Sequence, residues 1–456
     1  MDENMIPMIG MESRGNRHNN AGFPVQSGGF DASSTISMRS QQQHECNTAG
    51  IHLPPHDHHA HHIAHRVSAL TAALAGCGGG TEKSTVPTTP APPPPSGIVS
   101  LSFITNAQAN VFDRGTLSSA LNVQAGLDGS NANNLTVTFT TTAGSVSPVQ
   151  VATNSSGLAA TSLSIPTATP TGAVRITATA AANNTAAATF AGYVRAVPNR
   201  LELLVPAYFS AGSNAAAWTA LTDGATSYPD VAMNVIVKPD NASNGTMTAA
   251  ITKADDKLIT AITALKTAQP RAKVFGYVAT GGGANAAISS TDVSVTIDRY
   301  IALYPGQLDG IFLDGMATDD SRRAFFQGIY AYANDKGLKV IGNPGAYPAP
   351  SYAGLADMLV TYTGPATSYQ GADPQPANTW VYDRQNTAQG MLVHTASTCS
   401  EMQKLVTDAN RPRMNTGLVY VTDQAIGSPW SALPSYWKNL LGTVDATNKG
   451  LARPVC

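Results

Sequence analysis

Leu308-Asp309-Gly310-Ile311-Phe312-Leu313-Asp314-Gly315 decides the reading of this chain. The apolar core Ile311-Phe312-Leu313 is continuous rather than alternating, as expected of a strand buried on both faces of a parallel sheet. Asp314 stands where that strand leaves the sheet. Parallel α/β barrels carry their chemistry at the C-terminal ends of their strands, so an acid there reads as a reactive group. The competing reading is an Asp that caps the next loop or helix. Asp309, at the other end, reads as structural.

Working outward, short apolar runs recur on both sides of this strand. Leu201-Glu-Leu-Leu-Val, Val231 to Val237 and Lys273-Val-Phe-Gly-Tyr-Val precede it. Lys339-Val-Ile-Gly, Met358-Leu-Val-Thr-Tyr, Met391-Leu-Val-His and Gly417-Leu-Val-Tyr-Val follow, making eight candidate strands. Helical spacing lies between several of them. Ile251, Leu258, Ile259, Ile262 and Leu265 share one face, and so do Phe325, Ile329 and Tyr332. Gly337 is placed to end the second of these helices. Thr398-Cys-Ser-Glu401 reads as a capping box. Strand and helix alternating eight times over residues 198–456 predict an α/β fold, a (β/α)8 TIM-like barrel. An open doubly wound sheet is the alternative, but no Gly-x-Gly-x-x-Gly follows the first strand.

Residues 97–197 read differently. Val99-Ser-Leu-Ser-Phe, Leu135-Thr-Val-Thr-Phe and Val174-Arg-Ile-Thr-Ala-Thr alternate, separated by Gly, Asn and Pro clusters. That pattern predicts a small all-β sandwich ahead of the barrel. Ala143-Gly-Ser-Val146, Thr153 to Ala159 and Ile176-Thr-Ala-Thr179 resemble a bacterial Ig-like domain of the invasin type, which implies a spacer or adhesion module. Residues 77–96 form a Gly-, Thr- and Pro-rich tether whose polyproline run stays extended. Residues 1–76 read as a disordered leader ending in a signal peptide, Arg66 to Cys77, with a short apolar run before small residues. Leu74-Ala-Gly-Cys77 resembles a bacterial lipobox, which implies lipidation of Cys77. The expected location is therefore outside the cytoplasm, lipid-anchored to the bacterial cell envelope.

With Cys46 removed and Cys77 lipidated, Cys399 and Cys456 remain as a candidate disulfide of an exported protein. The formal net charge of −2 leaves no basic patch for nucleic acid. No stretch is long and apolar enough to span a bilayer, so the only membrane contact expected is the N-terminal lipid. Every histidine but His394 lies before residue 66, and no ligand set is spaced for a metal site. We expect neither metal nor cofactor, and a monomer.

Five segments together resemble the spherulation-specific family 4 (spherulin-4) domain. They are Leu203-Leu-Val-Pro-Ala-Tyr208, Val235-Ile-Val-Lys238-Pro-Asp-Asn, Val274 to Thr280, Leu308 to Asp314, and Pro429-Trp430 to Trp437. The resemblance implies a (β/α)8 barrel. It also implies a carbohydrate partner, since some members hydrolyse α-1,4-linked N-acetylgalactosamine polymers and a related family cuts galactosamine polymers. The departures bear on activity. Active relatives carry Asp-Glu at the end of the fourth strand, where this chain has Asp314-Gly315. They carry a further Glu after the sixth strand, where this chain has Thr363.

Glycoside hydrolysis normally requires two carboxyl groups, about 5 Å apart for retention or about 6.5–9.5 Å apart for inversion. Asp314 is one candidate catalytic acid and Asp423, ending the last strand, the other. Asp319 and Asp320 come next, on the loop after Asp314. Each of these three loop acids, taken singly, reads more readily as a solvated acid. His394 ends the seventh strand and is either a satisfied polar group or a hydrogen-bond partner of substrate. Tyr208, Tyr277, Tyr362, Tyr420 and Trp430 lie near strand ends, where aromatic faces suit sugar rings or ordinary packing. Lys238 completes the candidate substrate contacts. Two readings follow. The favoured one is a surface-anchored glycosidase acting on an amino-sugar exopolysaccharide. The alternative is a carbohydrate-binding or adhesion protein that kept the cleft and lost the acids. A purely structural surface module leaves the clustered aromatics and Asp314 without a reason.

Overall fold

The computed structural model describes residues 95–456 apart from 244–245, 284–287 and 370–371. The leader, the lipobox with Cys77 and most of the tether lie outside the described residues. Strands alternating inward and outward build a two-sheet sandwich from Val99 to Val194. One sheet is centred on Leu121–Leu127 and Leu158–Ile165, the other on Gly172–Ala181 and Thr185–Val194. Their facing residues, among them Val123, Phe139, Leu163 and Ile176, form the sandwich core. In Leu158–Ile165 every second residue is buried, the period of two that a sheet with one covered face demands.

The apolar runs beyond it close into a parallel barrel of eight strands. These are β1 (Glu202–Ala207), β2 (Met233–Val237), β3 (Lys273–Ala279), β4 (Gly310–Asp314), β5 (Lys339–Asn343), β6 (Met358–Pro365), β7 (Gln389–His394) and β8 (Leu418–Val421). Each pairs with the next, and β1 pairs with β8 to close the ring. Ile311, Phe312 and Leu313 are wholly buried, as a strand covered on both faces requires. Phe312 stacks on Tyr277 of β3 and Asp314, two residues on, reaches the same tyrosine, so these two share the barrel-lining side. Asp309 is structural as read. Its carboxylate accepts from the Val274 amide at 2.8 Å and pairs with Lys266 at 2.9 Å.

Helices cover the barrel where helical spacing predicted them, with shifts of detail. Asp256–Ala268 buries Leu258, Ile262 and Leu265, but Ile251 lies before it, because Asp255 caps its first amides and fixes the start. In Arg323–Asp335 the buried face is Phe326, Ile329 and Ala333, one position along from Phe325 and Tyr332. Gly337, at φ +74°, follows that helix.

Cys399 and Cys456 are joined, with Cα atoms 5.6 Å apart and a sequence separation of 57. The bond ties the C-terminal tail to the helix Cys399–Ala409. Hydrogen bonds from Gln403 to the Pro454 carbonyl (2.7 Å) and from Asn439 to the Val455 carbonyl (2.9 Å) hold the same tail. Replacing both cysteines with serine should therefore cost the lower part of the usual range, about 2 kcal/mol. Urea unfolding with and without reductant checks it, and two free thiols in the isolated protein would remove the bond altogether.

The sandwich docks on the loops leading into β7 and β8, at the N-terminal ends of the strands. Val111 packs with Val381 and Tyr382, and the Ala196 amide donates to the Tyr382 carbonyl at 2.8 Å. Arg195, 4% exposed, pairs with Asp113 at 2.6 Å and donates to Asn415 at 3.1 Å. Arg413 is the hub of this seam. It pairs with Asp373 at 2.8 Å and donates to the Ala107 carbonyl (3.0 Å) and Asn110 (2.8 Å) of the sandwich.

Candidate functional site at the barrel mouth

The site is built on the ends of β3 to β6. Asp314 ends β4 in register with Ala279 of β3 and Asn343 of β5. Its half-buried carboxylate takes two hydrogen bonds from the flanking strands. Tyr277 Oη donates to Oδ2 at 2.6 Å, and Asn343 Nδ2 donates to Oδ1 at 2.7 Å. Thr363 of β6 donates its hydroxyl to Asn343 Oδ1 at 3.0 Å. That bond sets which way the Asn343 amide faces, because its oxygen is taken and its NH2 must point to Asp314. A carboxylate offers about four lone-pair sites, so Asp314 keeps acceptor capacity beyond these two bonds.

On the β1 and β2 side, Tyr208 meets Tyr277 edge to face at 5.3 Å, and Lys238 Nζ lies 5.7 Å from the Tyr277 ring centre. The latter is within reach of a cation–π contact. Burial first, then the Asp314 charge, raises both Tyr208 and Tyr277 well above the ordinary phenol range. Both stay protonated and act as donors. Asp314, Tyr277, Tyr208 and Lys238 are thus brought together.

The other acids are not part of this group. Asp423 follows β8, four strands round the ring from β4, on the opposite wall. Its carboxylate accepts from the Ser435 amide at 3.1 Å, and its charge raises Tyr420 and Tyr436, where burial is the larger cause. Asp319 caps a short turn, its Oδ1 accepting from the Ser321 amide at 2.9 Å. Those bonds from Ser321 hold Asp319 below the usual carboxylate range. Asp320 accepts from the Ser351 hydroxyl. Both side chains are exposed, Asp319 tied to its own turn and Asp320 to the segment after β5.

His394 and Trp430 form a second group, across the mouth. His394 is 7% exposed, its Nδ1 is 2.8 Å from the Thr395 hydroxyl, and Trp430 meets it edge to face at 6.1 Å. Burial lowers the histidine below its ordinary range, so it is neutral near pH 7. Thr395 adopts φ +58°, a strained conformation for a β-branched residue. Bonds from its amide to the Gln424 carbonyl and from Ala396 to the Thr422 carbonyl hold it there. Tyr420 corrects the sequence reading, being fully buried under Trp430, so it supports that ring and offers no face of its own. Tyr362 bonds its own chain at the Pro365 carbonyl (2.6 Å) and packs edge-on against Tyr369.

The sequence reading missed Asn343 and Thr395. Asn343 was findable, since it ends β5 as Asp314 ends β4. Gly315 adds a constraint that sequence does not display. Its φ is +72°, and its carbonyl is held by the Gly282 amide (2.7 Å) and the Thr280 hydroxyl (2.9 Å). A glutamate there would have room, but would bear about 1–3 kcal/mol of backbone strain. Among the described residues no cluster of His, Cys, Asp or Glu is arranged to hold a metal ion.

A family model described as spherulation-specific family 4 matches residues 202–444, more than half of the chain. None of the curated proteins matches. Among solved structures, Aspergillus clavatus Sph3 in complex with GalNAc is 20% identical over 54% of this chain and 98% of its own, at TM-score 0.45. A chitinase from Chromobacterium violaceum is 14% identical over the same shares, at TM-score 0.36. The N-terminal β region matches the D0-D1 domain of intimin, 18% identical over 20% of this chain and 46% of that one, at TM-score 0.16.

Proposed function

This chain belongs to the spherulation-specific family 4, and from that premise we propose that its barrel binds an amino-sugar polymer across the mouth without hydrolysing it. Asp314 is the charged contact, and Tyr208, Tyr277 and Trp430 are the aromatic ones. One observation carries the reading: the groups bonded to the Asp314 carboxylate are the neutral donors Tyr277 and Asn343, not a second carboxyl. The position beside Asp314 is a glycine at φ +72°, and Thr363, in place of a family acid, serves only to orient Asn343. Asp423 follows β8, four strands round the ring from β4, and its carboxylate accepts from the Ser435 amide. Two-carboxylate hydrolysis needs the pair within about 9.5 Å.

A hydrolase is the second reading, favoured by the retention of Asp314 at the end of β4 with a tyrosine hydroxyl bonded to it. One experiment separates the two. The purified protein is incubated with α-1,4-linked N-acetylgalactosamine oligomers, native and partly deacetylated, and both bound ligand and reducing ends are measured. Saturable binding with no reducing ends above the blank is expected. Reducing ends that vanish in Asp314→Asn would establish the hydrolase instead.

The same proposal places the protein at the cell envelope through lipidated Cys77, with the tether and sandwich as spacer. Cys77→Ser should move it from the membrane to the soluble fraction or block its maturation. Unchanged fractionation would end the anchor reading.

A further inference from the structure

Four described residues other than glycine have positive φ. Three of them, Asp128, Asn134 and Asn415, have short polar side chains that tolerate it. Thr395, at φ +58°, is branched at Cβ, and for such a residue this region is an outlier. Two backbone bonds impose it, from the Thr395 amide to the Gln424 carbonyl (2.9 Å) and from the Ala396 amide to the Thr422 carbonyl (3.0 Å). Tyr436 adds a third restraint, its hydroxyl donating to the Ala396 carbonyl at 2.9 Å. Glycine would adopt this φ freely, so what threonine adds is its hydroxyl, held 2.8 Å from His394 Nδ1. With Nδ1 occupied the ring is oriented, and Nε2 is the nitrogen left for a ligand. Nε2 has no partner among the described residues, and it is not one of the side-chain atoms that burial leaves enclosed and unpartnered.

The strand register fixes where the ring points. Thr363, bonded into the Asp314–Asn343 network, stands opposite Leu392 of β7. His394 lies two residues beyond Leu392, so it points to the same barrel-lining side, at the end of its strand. β7 is three strands round the ring from β4, and strands lie about 4.8 Å apart, which puts the two walls on the order of 10 Å from each other. One sugar ring cannot touch both. We propose that His394 is a sugar-binding residue, its Nε2 bonded to a hydroxyl of an uncharged sugar unit stacked on Trp430, and that Thr395 is the positioning residue that aims it. The inference rests on the reading that the mouth binds a sugar polymer, and extends that reading to two subsites on facing walls. Neutral imidazole has one donor and one acceptor nitrogen, and a sugar hydroxyl can be either, so the bond forms with either tautomer. Trp430 meets the imidazole edge to face at 6.1 Å and is only half-buried, so part of its surface is available to the sugar.

The full-length chain is titrated by calorimetry with N-acetylgalactosamine and with its α-1,4-linked tetrasaccharide, both uncharged. The tetrasaccharide should bind at least about tenfold more tightly, because only it reaches both walls. In His394→Asn the shorter amide reaches about as far as Nδ1, so it keeps a partner for Thr395 and has nothing at Nε2. That variant should bind the tetrasaccharide roughly fivefold more weakly, the effect of one neutral hydrogen bond. His394→Gln, whose amide reaches toward Nε2, should recover most of the loss. Thr395→Val keeps the branched shape without the hydroxyl and should weaken binding as well, whereas Thr395→Ser, which keeps the hydroxyl, should restore it. A role in shape alone would give the reverse order and would overturn the assignment of Thr395. Equal affinity in the parent and His394→Asn, or a monosaccharide that binds as tightly as the tetrasaccharide, would overturn the proposal. Tetrasaccharide binding that requires Asp314 and ignores His394 would overturn it alone and leave the mouth reading intact. A parent that binds neither ligand would end both.

Discussion

Asp314→Asn should weaken polymer binding by roughly 10- to 100-fold while leaving the fold intact. The magnitude follows from losing a hydrogen bond to a charged group, about 1.5–3 kcal/mol, at 1.4 kcal/mol per tenfold change. The fold survives because the network can accommodate an amide. The new side-chain oxygen still accepts from Asn343, whose orientation Thr363 fixes, and the new NH2 donates to the Tyr277 oxygen. The tyrosine hydroxyl switches from donor to acceptor without moving. Only the negative charge and its free acceptor sites disappear. Affinity electrophoresis in polymer-containing gels, with unfolding midpoints alongside, measures both halves. Equal affinity in parent and variant would remove Asp314 from the ligand contact, and lost stability would make it structural.

Lys238 is the natural control for this argument. It lies over Tyr277 rather than against Asp314, with its Nζ 5.7 Å from the ring centre. The carboxylate is therefore wired to neutral donors, and its charge is left to be read by a ligand. A protonated amino group on a partly deacetylated polymer is a better match for it than an acetylated one. Retention should then rise with deacetylation and fall with salt, as for any exposed charge pair.

The barrel was legible because both of its signals are local. Continuous apolar runs such as Ile311 to Leu313 mark strands covered on both faces, and Leu258, Ile262 and Leu265 mark the helices over them. The site was legible only where a strand ended on a charged or aromatic residue. Asn343 escaped because a neutral amide carries neither charge nor ring to mark it, although it follows the same strand-end rule. Asp319 and Asp320 qualified by proximity in sequence, but Ser321 in its own turn bonds the first and Ser351 the second. Tyr420 shows the remaining limit. Whether a ring at a strand end faces the mouth depends on the loop folded over it, here the one carrying Trp430, and nothing in Leu418-Val-Tyr-Val-Thr reveals that. The docking of the sandwich was not legible at all. Its bonds join residues such as Arg413 and Asn110, 303 positions apart.

That docking sets up the other large effect. Arg413→Ala should destabilise the protein by about 3–5 kcal/mol, the usual consequence of removing one partner of a buried ion pair. The Arg413 side chain is 13% exposed and that of Asp373 28%, so the abandoned carboxylate is only partly solvated and the lower end is expected. Burial pushes Asp373 up, but the bonds from Arg413 and from the Gln375 amide outweigh it and hold the group below the usual carboxylate range. Its contribution is therefore fully present above the unfolded carboxylate value of about 3.9 and is lost as pH falls through the lowered folded value. Arg413→Ala should flatten that acid limb as well as lower the plateau. Asp373→Asn combined with Arg413→Ala should recover part of the loss, because the double variant leaves no orphaned charge. What it does not recover is the pair of bonds to Ala107 and Asn110 that hold the sandwich at the N-terminal ends of the strands. Those bonds keep the sandwich on the side away from the mouth. Urea titrations of the parent and the two variants at pH 7 and pH 3 decide the matter. Full recovery in the double variant would mean that the ion pair, and not the seam, accounts for the whole effect.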